Sequence, residues 1–330
     1  MAILKVCIYG AGAIGGWIGA KLAQAGCEVS AVARGATLAA LRADGLRLNE
    51  AGTTITAKVR ANGDPRALGA QDLVIVAVKA PAMAEVAQSI GPLLDANTIV
   101  LTAMNGVPWW FFEGFGDRWA GTRLKAVDPD GSIANAVPAR HIVGCVVHAS
   151  CSLDAPGVVH HHFGSKLIIG EPSGEQTPRV RELAALLAKA GFDAPIAQQI
   201  QKDAWYKLWG NMTMTPVSAI TGATTDRVLA DDLVREFVER VMLEAREIGA
   251  RIGIPIEQSP QDRHMVTRKL GAFKTSMLQD VEAGKPLELD ALVTVVKELG
   301  ELTQVPTPFT DALLGLARLH ARVHGLYPSA

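Results

Sequence analysis

This sequence has few cysteines, no long hydrophobic run and almost no net charge. Its 330 residues include four cysteines, and none of them stands at the spacing of a paired metal-binding motif. We therefore expect reduced thiols, no disulfide framework and no metal site. No apolar segment approaches the roughly 20 residues that a membrane-spanning helix needs. The first residues lead directly into an apolar strand rather than a signal peptide, so we expect a cytoplasmic protein without a membrane partner.

The charge balance argues against another class of partner. The 32 basic and 33 acidic side chains give a formal net charge of −1, and no dense basic tract occurs. We therefore expect no nucleic-acid partner. A zinc site built from Cys145, His148, Cys151 and His160–His162 is disfavoured, because strand alternation places His148 on the face opposite the two cysteines. The length predicts about two domains of roughly 150 residues each.

The amino terminus carries a dinucleotide-binding pattern. An apolar strand leads into Gly10-Ala11-Gly12-Ala13-Ile14-Gly15, a helix follows over Trp17–Ala25, and a second apolar strand runs over Glu28–Ala33. Gly10 permits the tight turn, Gly12 lets a pyrophosphate approach the backbone, and Gly15 lets the helix lie close to the strand. The pattern alone is weak, and an empty turn is the alternative. The strand before it and the helix after it favour a cofactor site formed by residues 10–15.

The second strand lacks the carboxylate that NAD-preferring sites place at its end. Arg34 stands there instead, and its guanidinium can bind a 2′-phosphate through paired, charge-assisted hydrogen bonds. Lys79 follows the apolar strand Asp72–Val78 and should lie at the same edge of the sheet. Each could also be an ordinary surface cation. Their positions at strand ends favour NADP(H) as the cofactor.

The pattern of elements changes along the chain. Up to about Gly170, short apolar strands alternate with Ala-rich helical segments, which predicts a parallel, doubly wound sheet. Gly170–Pro178 has the composition of a linker, with Thr177-Pro178 as a helix start. We therefore predict an α/β protein with a Rossmann-like NADP-binding domain over residues 1–174 and an all-helical substrate domain over residues 175–330. The predicted helices are Arg179–Ala190, Lys202–Ile220, Asp231–Ile252, Pro260–Glu282, Leu289–Thr303 and Phe309–His324.

One helix of the second domain carries an unusual polar stripe. Lys207, Asn211 and Thr215 are four residues apart among large apolar side chains, so they share one helix face. A lysine on such a stripe can be a proton donor, or it can be a lysine that reaches from the core edge to solvent. Further on, Glu288 falls at a helix start, where the helix dipole favours a carboxylate. Ser276 alone would equally be a surface hydroxyl.

Taken together, these motifs resemble the ketopantoate reductase (2-dehydropantoate 2-reductase) family over nearly the whole chain. The resemblance rests on residues 10–16, Val32–Gly35, Val78-Lys79, Asn105-Gly106, Lys207-Leu208 with Asn211, Ser276–Asp280 and Glu288–Asp290. It implies an NADP-dependent oxidoreductase that reduces a 2-oxo acid, ketopantoate, to the 2-hydroxy acid pantoate in pantothenate biosynthesis.

The resemblance also implies roles for individual residues. Lys207 would be the general acid that protonates the carbonyl oxygen, and Glu288 would orient Lys207 and the substrate. Ser276 would bind the substrate carboxylate, and Asn211 would hydrogen-bond the substrate. Asn105 would lie beside the nicotinamide and the substrate, while Arg34 and Lys79 would contact the NADP phosphate.

Two features depart from the family pattern. Thr215 stands where the family commonly has a second asparagine, and it offers one donor where an amide offers two; we still expect Thr215 to contact the substrate. The aromatic block Trp109–Phe112 opens an apparent insertion that extends to about Pro138. These rings would either pack the insertion against its domain or reshape the substrate pocket.

These departures leave other functions open. One alternative is a related reductase of a different 2-oxo acid or an opine-type substrate. Another is a non-catalytic NADP-binding sensor. The expected partner is a small-molecule 2-oxo acid, and the helical domain is compatible with a homodimer.

Overall fold

The computed structural model describes residues 3–329, and it divides into two compact units. The first, here called the sheet unit, comprises residues up to Met104 together with Trp109–Arg123 and Gly131–Asp203. The second, the helical unit, comprises Asn105–Pro108, Leu124–Asp130 and the chain from Ala204 onward. The predicted fold class, a Rossmann-like sheet domain followed by a helical domain, is confirmed.

The sheet unit is built on one mixed sheet. The described residues form nine strands in the order β4-β3-β9-β8-β7-β6-β1-β2-β5. Their bounds are β1 (Lys5–Tyr9), β2 (Glu28–Val32), β3 (Leu46–Glu50), β4 (Thr53–Ala57), β5 (Arg60–Asn62), β6 (Leu73–Val76), β7 (Ile99–Thr102), β8 (Ile142–Ala155) and β9 (Val158–Gly170). The central strands β5, β2, β1, β6, β7 and β8 pair in parallel, as predicted.

Two hairpins depart from the predicted all-parallel sheet. β3 and β4 pair antiparallel, and so do β8 and β9. Short turns at Ala51-Gly52 and Pro156-Gly157 connect these strands, and a connection this short permits only an antiparallel pair. Apolar runs indicate where strands lie but do not fix their direction, which the length of the connection decides.

Six α-helices of the described residues lie in the sheet unit: α1 (Ala13–Gln24), α2 (Gly35–Asp44), α3 (Met83–Ser89), α4 (Gly116–Trp119), α5 (Ser132–Ala136) and α6 (Pro178–Lys189). Helix α1 packs closely on the sheet, because a side-chain carbon added at Gly19 would lie 2.8 Å from Ile8. Trp17 and Ile18 of the same helix are completely buried in the core of the sheet unit.

The two units divide the chain later than the predicted boundary after residue 174. Thr177 caps α6 as predicted, and its Oγ1 accepts a hydrogen bond from the Val180 N–H. However, Val180, Leu183 and Leu187 of α6 belong to the hydrophobic core of the sheet unit. The segment after α6 also bonds back to β9, where Ala197 N–H donates to the Ile169 carbonyl. Apart from its two short earlier segments, the helical unit therefore begins at Ala204, inside the next helix.

That helix is α7 (Ile200–Thr221), and it is followed by α8 (Thr225–Ala230), α9 (Asp232–Arg251), α10 (Pro260–Arg268), α11 (Ser276–Glu282), α12 (Val295–Thr303) and α13 (Pro308–Val323). The predicted helix Pro260–Glu282 is wrong as a single element. Gly271 has a φ of +63°, a conformation that ends a helix. Thr275 then caps a new helix by accepting from the Leu278 N–H. A π-helical turn, Asp290–Thr294, leads directly into α12.

No helix within residues 3–329 combines the length and the hydropathy that a membrane crossing requires.

Candidate active site

The glycine turn of the sheet unit adopts the geometry of a dinucleotide site. Gly10 has a φ of +97°, which glycine adopts without a steric penalty. A side-chain carbon added at Gly15 would lie 2.2 Å from the Gly10 carbonyl oxygen, so only glycine allows this approach. A carbon added at Gly12 would meet no protein atom within 4 Å. This open space is where such a turn lets a pyrophosphate approach the backbone.

The amino end of α1 adds an electrostatic reason for anion binding. Gly12 occupies the N-cap position, and a glycine has no side chain with which to bond the N–H groups of the first turn. Ala11 is buried beside it, and Ala13 and Ile14 begin the helix. The helix dipole and the unbonded N–H groups both favour a phosphate at this position. Residues 10–15 therefore fit the cofactor that the sequence predicts.

The three segments of the predicted cofactor site leave the sheet at one edge. Tyr9, the last residue of β1, is in register with Val32 of β2 and with Val76 of β6. The chain beyond this row gives the glycine turn, Arg34 and Lys79 respectively. β2 and β6 lie on opposite sides of β1. Ligands of open α/β sheets bind at such a point, where the strand order reverses.

Arg34 has a partner that the sequence did not predict. It is the N-cap residue of α2, its side chain is 68% exposed, and it forms an ion pair with the 54% exposed Glu85 of α3. Exposed ion pairs contribute about 0–1 kcal/mol, so the guanidinium can exchange this carboxylate for a phosphate at little cost. Lys79 is half-buried and precedes the short 3₁₀ helix Ala80–Ala82.

In the helical unit, the predicted general acid contacts one of the other predicted site residues. Lys207 Nζ donates a hydrogen bond to Asn105 Oδ1 across 2.8 Å, and both side chains are partly buried. Lys207 lies on α7, while Asn105 is three residues beyond the end of β7. Because one of the three N–H groups of the ammonium points at a fixed acceptor, the directions of the other two are also set.

The loop that carries Asn105 is pressed against the π-helical turn. Val107 N–H donates to the Ala291 carbonyl at 2.9 Å. Gly106 has a φ of +85°, and a side-chain carbon there would lie 2.4 Å from the same carbonyl oxygen. Only glycine therefore allows this contact. The position of Asn105 depends on the start of the helix that Glu288 precedes.

Asn211 and Thr215 follow Lys207 on the same face of α7, as predicted. Asn211 is partly exposed, whereas Thr215 is 5% exposed. The Thr215 hydroxyl donates to the Asn211 carbonyl at 2.8 Å, so its proton is already used within the helix. A substrate could use Thr215 only as an acceptor. Its contact with substrate stays a prediction.

Ser276 and Glu288 lie near α11, one at its start and the other beyond its end. Ser276 is the first residue of α11 and is exposed. Glu288 is 7% exposed and stands immediately before the helical residues Leu289 and Asp290, which agrees with the predicted helix start. A carboxylate that is this buried needs polar partners, and Glu288 has such an interaction.

The aromatic block of the insertion is an internal cluster of the sheet unit. Trp109, Trp110, Phe111 and Phe112 are each at most 7% exposed. The Trp110 indole N–H donates to the Thr102 hydroxyl at 3.1 Å. The rings therefore pack the insertion against its own unit, which favours the first of the two interpretations over a reshaped pocket.

In the histidine run of β9, His161 makes packing and polar contacts within the sheet unit. His161 stacks on Trp17 with ring centroids 5.1 Å apart, and its Nδ1 lies 3.0 Å from Glu50. Among residues 3–329, no three His, Cys, Asp or Glu side chains are grouped so that they could hold a metal ion.

Comparison with known proteins adds an independent observation. The family model described as "Ketopantoate reductase PanE/ApbA" matches residues 6–111, and its carboxyl-terminal counterpart matches residues 199–321. A curated 2-dehydropantoate 2-reductase of Mesorhizobium japonicum is 46% identical over 98% of this chain and 100% of its own length. The chain belongs to the ketopantoate reductase family. It is therefore an oxidoreductase that acts on CH–OH groups.

Solved structures of this family and beyond it share the fold. A structure from Ralstonia solanacearum, named as a candidate ketopantoate reductase, is 57% identical with a TM-score of 0.95, covering 98% of this chain and 100% of that one. The ternary structure of D-mandelate dehydrogenase with NADH and anilino(oxo)acetate is 21% identical with a TM-score of 0.84, covering 98% and 100%. The latter shows a common fold only.

Sequence reasoning missed two polar contacts of this ketopantoate reductase family member. One is the Arg34–Glu85 ion pair, which joins the ends of two different βα units. The other is a hydrogen bond from the Tyr327 hydroxyl to Asp290 Oδ1 across 2.6 Å. Neither pair has a spacing signal, because the partners are far apart in the chain. Asp290 belongs to the Glu288–Asp290 motif but had no assigned role.

Proposed function

We propose that this protein reduces 2-dehydropantoate (ketopantoate) to pantoate with NADPH, as a step of pantothenate biosynthesis. The observation that carries the proposal is the Lys207–Asn105 hydrogen bond, in a chain whose family acts on this substrate. The supporting features are the glycine turn, the cation at the end of β2 and the buried Glu288. None of Cys7, Cys27, Cys145 and Cys151 forms a disulfide, which supports a cytoplasmic location.

The chain's own residues supply binding and proton transfer in this proposal. Residues 10–15 would hold the pyrophosphate, and Arg34 and Lys79 would hold the 2′-phosphate. When bound, the reduced nicotinamide supplies a hydride to C2 of the 2-oxo acid. Negative charge then develops on the carbonyl oxygen, and the Lys207 ammonium stabilises that charge more in the transition state than in the ground state. Lys207 Nζ gives its proton to this oxygen, which becomes the hydroxyl of the product.

Neighbouring groups prepare Lys207 and the substrate. Asn105 accepts one Lys207 N–H, and this fixes the direction of the ammonium. Glu288 would orient the lysine and the substrate. Asn211 and Thr215 would bond the substrate from the same helix face, and the exposed Ser276 hydroxyl would donate to its carboxylate.

The test is NADPH oxidation by the purified protein with ketopantoate beside a panel of other 2-oxo acids, each repeated with NADH. We expect efficient turnover of ketopantoate with NADPH. Preference for another 2-oxo acid would retain the reaction and replace the substrate. Tight NADPH binding without turnover of any oxo acid would indicate a sensor instead.

We also propose that the chain forms a homodimer through α13. One face of this helix carries apolar residues with a heptad spacing, and all of them are exposed: Phe309, Ala312, Leu316, Leu319 and Val323. The exposures of Leu316, Leu319 and Val323 are 60, 62 and 73%. Such a seam is the pattern with which two helices pair.

The charges beside the seam favour a second copy of this chain. In an antiparallel pair centred on Leu316, residue 309 lies opposite the partner's residue 323 and Leu316 lies opposite its own copy. Ala312 and Leu319 fall one residue from an exact match with each other. Asp311 then lies level with the partner's Arg322, one residue beyond an exact match. A two-fold axis makes this contact twice, and opposite charges at such flanking positions favour the orientation.

A further inference from the structure

The carboxyl-terminal segment of the chain contacts the segment that carries Glu288. Leu287 N–H donates to the Leu326 carbonyl at 2.9 Å, and the Tyr327 hydroxyl donates to Asp290 Oδ1 at 2.6 Å. One bond is one residue before Glu288 and the other is two residues after it. Glu288 is therefore held on both sides by residues near the end of the chain.

We call the two hydrogen bonds that Leu326 and Tyr327 make on either side of Glu288 the clamp. The segment that carries Leu326 and Tyr327 is itself fixed. Leu326 is 5% exposed, and its N–H donates to the Ala321 carbonyl at 2.7 Å. The Arg322 guanidinium lies over the Tyr327 ring, 5.8 Å from its centroid, and Arg322 Nε donates to the Pro328 carbonyl at 3.1 Å. This segment is thus an extension of α13 and not a loose tail.

The Tyr327 phenol stays protonated, so it keeps its hydrogen bond to Asp290. Burial and the hydrogen bond to Asp290 raise the pKa of Tyr327 to about 12. The phenol consequently stays a donor over the whole range in which an enzyme works. Asp290 Oδ1 also accepts from Thr294 Oγ1 at 3.0 Å. A carboxylate oxygen with two donors keeps one position, and so does the π-helical turn that it begins.

The π-helical turn also supports the loop that carries Asn105, the hydrogen-bond partner of Lys207. Ala291, next to Asp290, accepts the Val107 N–H, and Gly106 lies against its carbonyl. A shift of Asp290 would therefore move both Glu288 and the loop that presents Asn105 to Lys207. Turns of π-helix often occur where a side chain must be placed for function.

We infer that Tyr327 is a positioning residue for the reaction: its hydroxyl, bonded to Asp290, sets the direction of Glu288 and the place of the Asn105 loop. The inference rests on the proposed function, because it gives Glu288 and Lys207 their roles there. Misplacement by about 1 Å in an active site can cost on the order of 100-fold in rate.

The direct test compares Tyr327→Phe with wild type. The variant keeps the ring and loses the hydroxyl. We expect kcat to fall about tenfold or more, while the Kd of NADPH, which the sheet unit binds, changes less than about twofold. Asp290→Asn keeps an oxygen acceptor and should retain most of the activity, whereas Asp290→Ala should resemble Tyr327→Phe. Unchanged kcat in Tyr327→Phe overturns the inference.

A second comparison separates positioning from general loss of structure. If Tyr327 acts through Glu288, then adding Tyr327→Phe to Glu288→Ala should lower kcat by much less than it does in wild type. Equal factors in both backgrounds would overturn the claim that Tyr327 sets the direction of Glu288.

A measurement without substrate keeps the inference separate from the proposed function. Hydrogen exchange of the peptide over residues 287–294 should be faster in Tyr327→Phe, with exchange in α1 unchanged as the internal control. Absence of ketopantoate turnover in wild type would reject the proposed function, and the kinetic comparisons would then use whichever 2-oxo acid the panel identifies. Unchanged exchange at residues 287–294 would reject the clamp whatever the substrate.

Discussion

Lys207 and Asn105 are 102 residues apart in the chain, and the Lys207 ammonium donates to the Asn105 side-chain oxygen across 2.8 Å. Both residues were predicted for the site. The family resemblance implies a role for each of them, and Lys207 also stands on a polar stripe of its helix. Their contact brings the two predicted residues together within the helical unit.

Removing the lysine should remove proton transfer. We expect Lys207→Ala to lower kcat with ketopantoate by about 100-fold or more, with the Kd of NADPH unchanged. Steady-state NADPH oxidation measures the first quantity and nucleotide fluorescence titration the second. Lys202→Ala is the matched control, because Lys202 is an exposed lysine of the same helix. A near-normal rate in Lys207→Ala would remove this residue from the role of general acid.

Arg34 should decide between the two nicotinamide cofactors. Arg34→Asp replaces a donor pair with a charge that repels a 2′-phosphate, so NADPH should bind about 10- to 100-fold more weakly and NADH almost normally. Arg66→Ala is the control, because Arg66 also forms an exposed ion pair, with Asp64. Equal effects of Arg34→Asp on both cofactors would reject the phosphate assignment.

A change at Glu85 should alter NADPH binding in the direction opposite to that of Arg34→Asp. It holds Arg34 in an ion pair and places a negative charge near the end of β2. Glu85→Gln frees the guanidinium and removes that charge, so NADPH should bind more tightly by a few-fold, with NADH unaffected. Titration of both nucleotides measures the change. Weaker NADPH binding would mean that Glu85 orients Arg34 rather than competing for it.

Much of the fold could be predicted because its signals are local. The glycine turn, the strand ends and the Thr177 cap are fixed by neighbouring residues, and the structure has each of them. Register and hairpin closure are not local, so the antiparallel pairing of β3 with β4 and of β8 with β9 was missed. The break at Gly271 was missed because a single glycine within a helical pattern is often tolerated.

For the candidate site, too, local signals could be predicted and contacts between distant segments could not. Side chains on one helix face, such as Lys207, Asn211 and Thr215, could be grouped by spacing. Spacing does not reveal which distant segments meet, and neither Glu85 nor Tyr327 stands in a recognisable motif. The resemblance to a family supplied roles, but it did not supply these two partners.

A buried histidine should make the helical unit sensitive to acid. Burial, with Arg268 and Arg235 nearby, lowers the pKa of His264 from 6.5 to about 4, although Glu239 lies 3.4 Å from its Nδ1. Between these values the unfolded chain binds a proton that the folded chain does not. Stability should therefore be complete above about pH 6.5 and fall as the pH drops toward about 4, by at most about 3 kcal/mol.

Urea unfolding of wild type and His264→Gln at about pH 5 and about pH 7.5 tests this origin. The acid loss should shrink in the variant, because glutamine does not titrate. His148→Gln, which alters an exposed histidine of β8, should keep the full loss. An identical pH dependence in wild type and His264→Gln would assign the effect to other groups.

The α13 seam should hold two copies of the chain together. We expect wild type to sediment as a dimer and Leu319→Asp to sediment as a monomer, because a charge at the seam would have to be desolvated. Leu233→Asp is the matched control: Leu233 is 75% exposed on α9, outside the seam, and its replacement should leave the dimer intact.

Charge reversal then tests the antiparallel orientation. Asp311→Arg would face the partner's Arg322 with a like charge and should weaken the dimer, whereas Asp311→Asn, which removes the charge without reversing it, should weaken it less. Arg322 itself is left unchanged, because it also contacts Tyr327 and Pro328. A monomeric wild type, or an Asp311→Arg dimer no weaker than the Asp311→Asn dimer, would reject the proposed pairing.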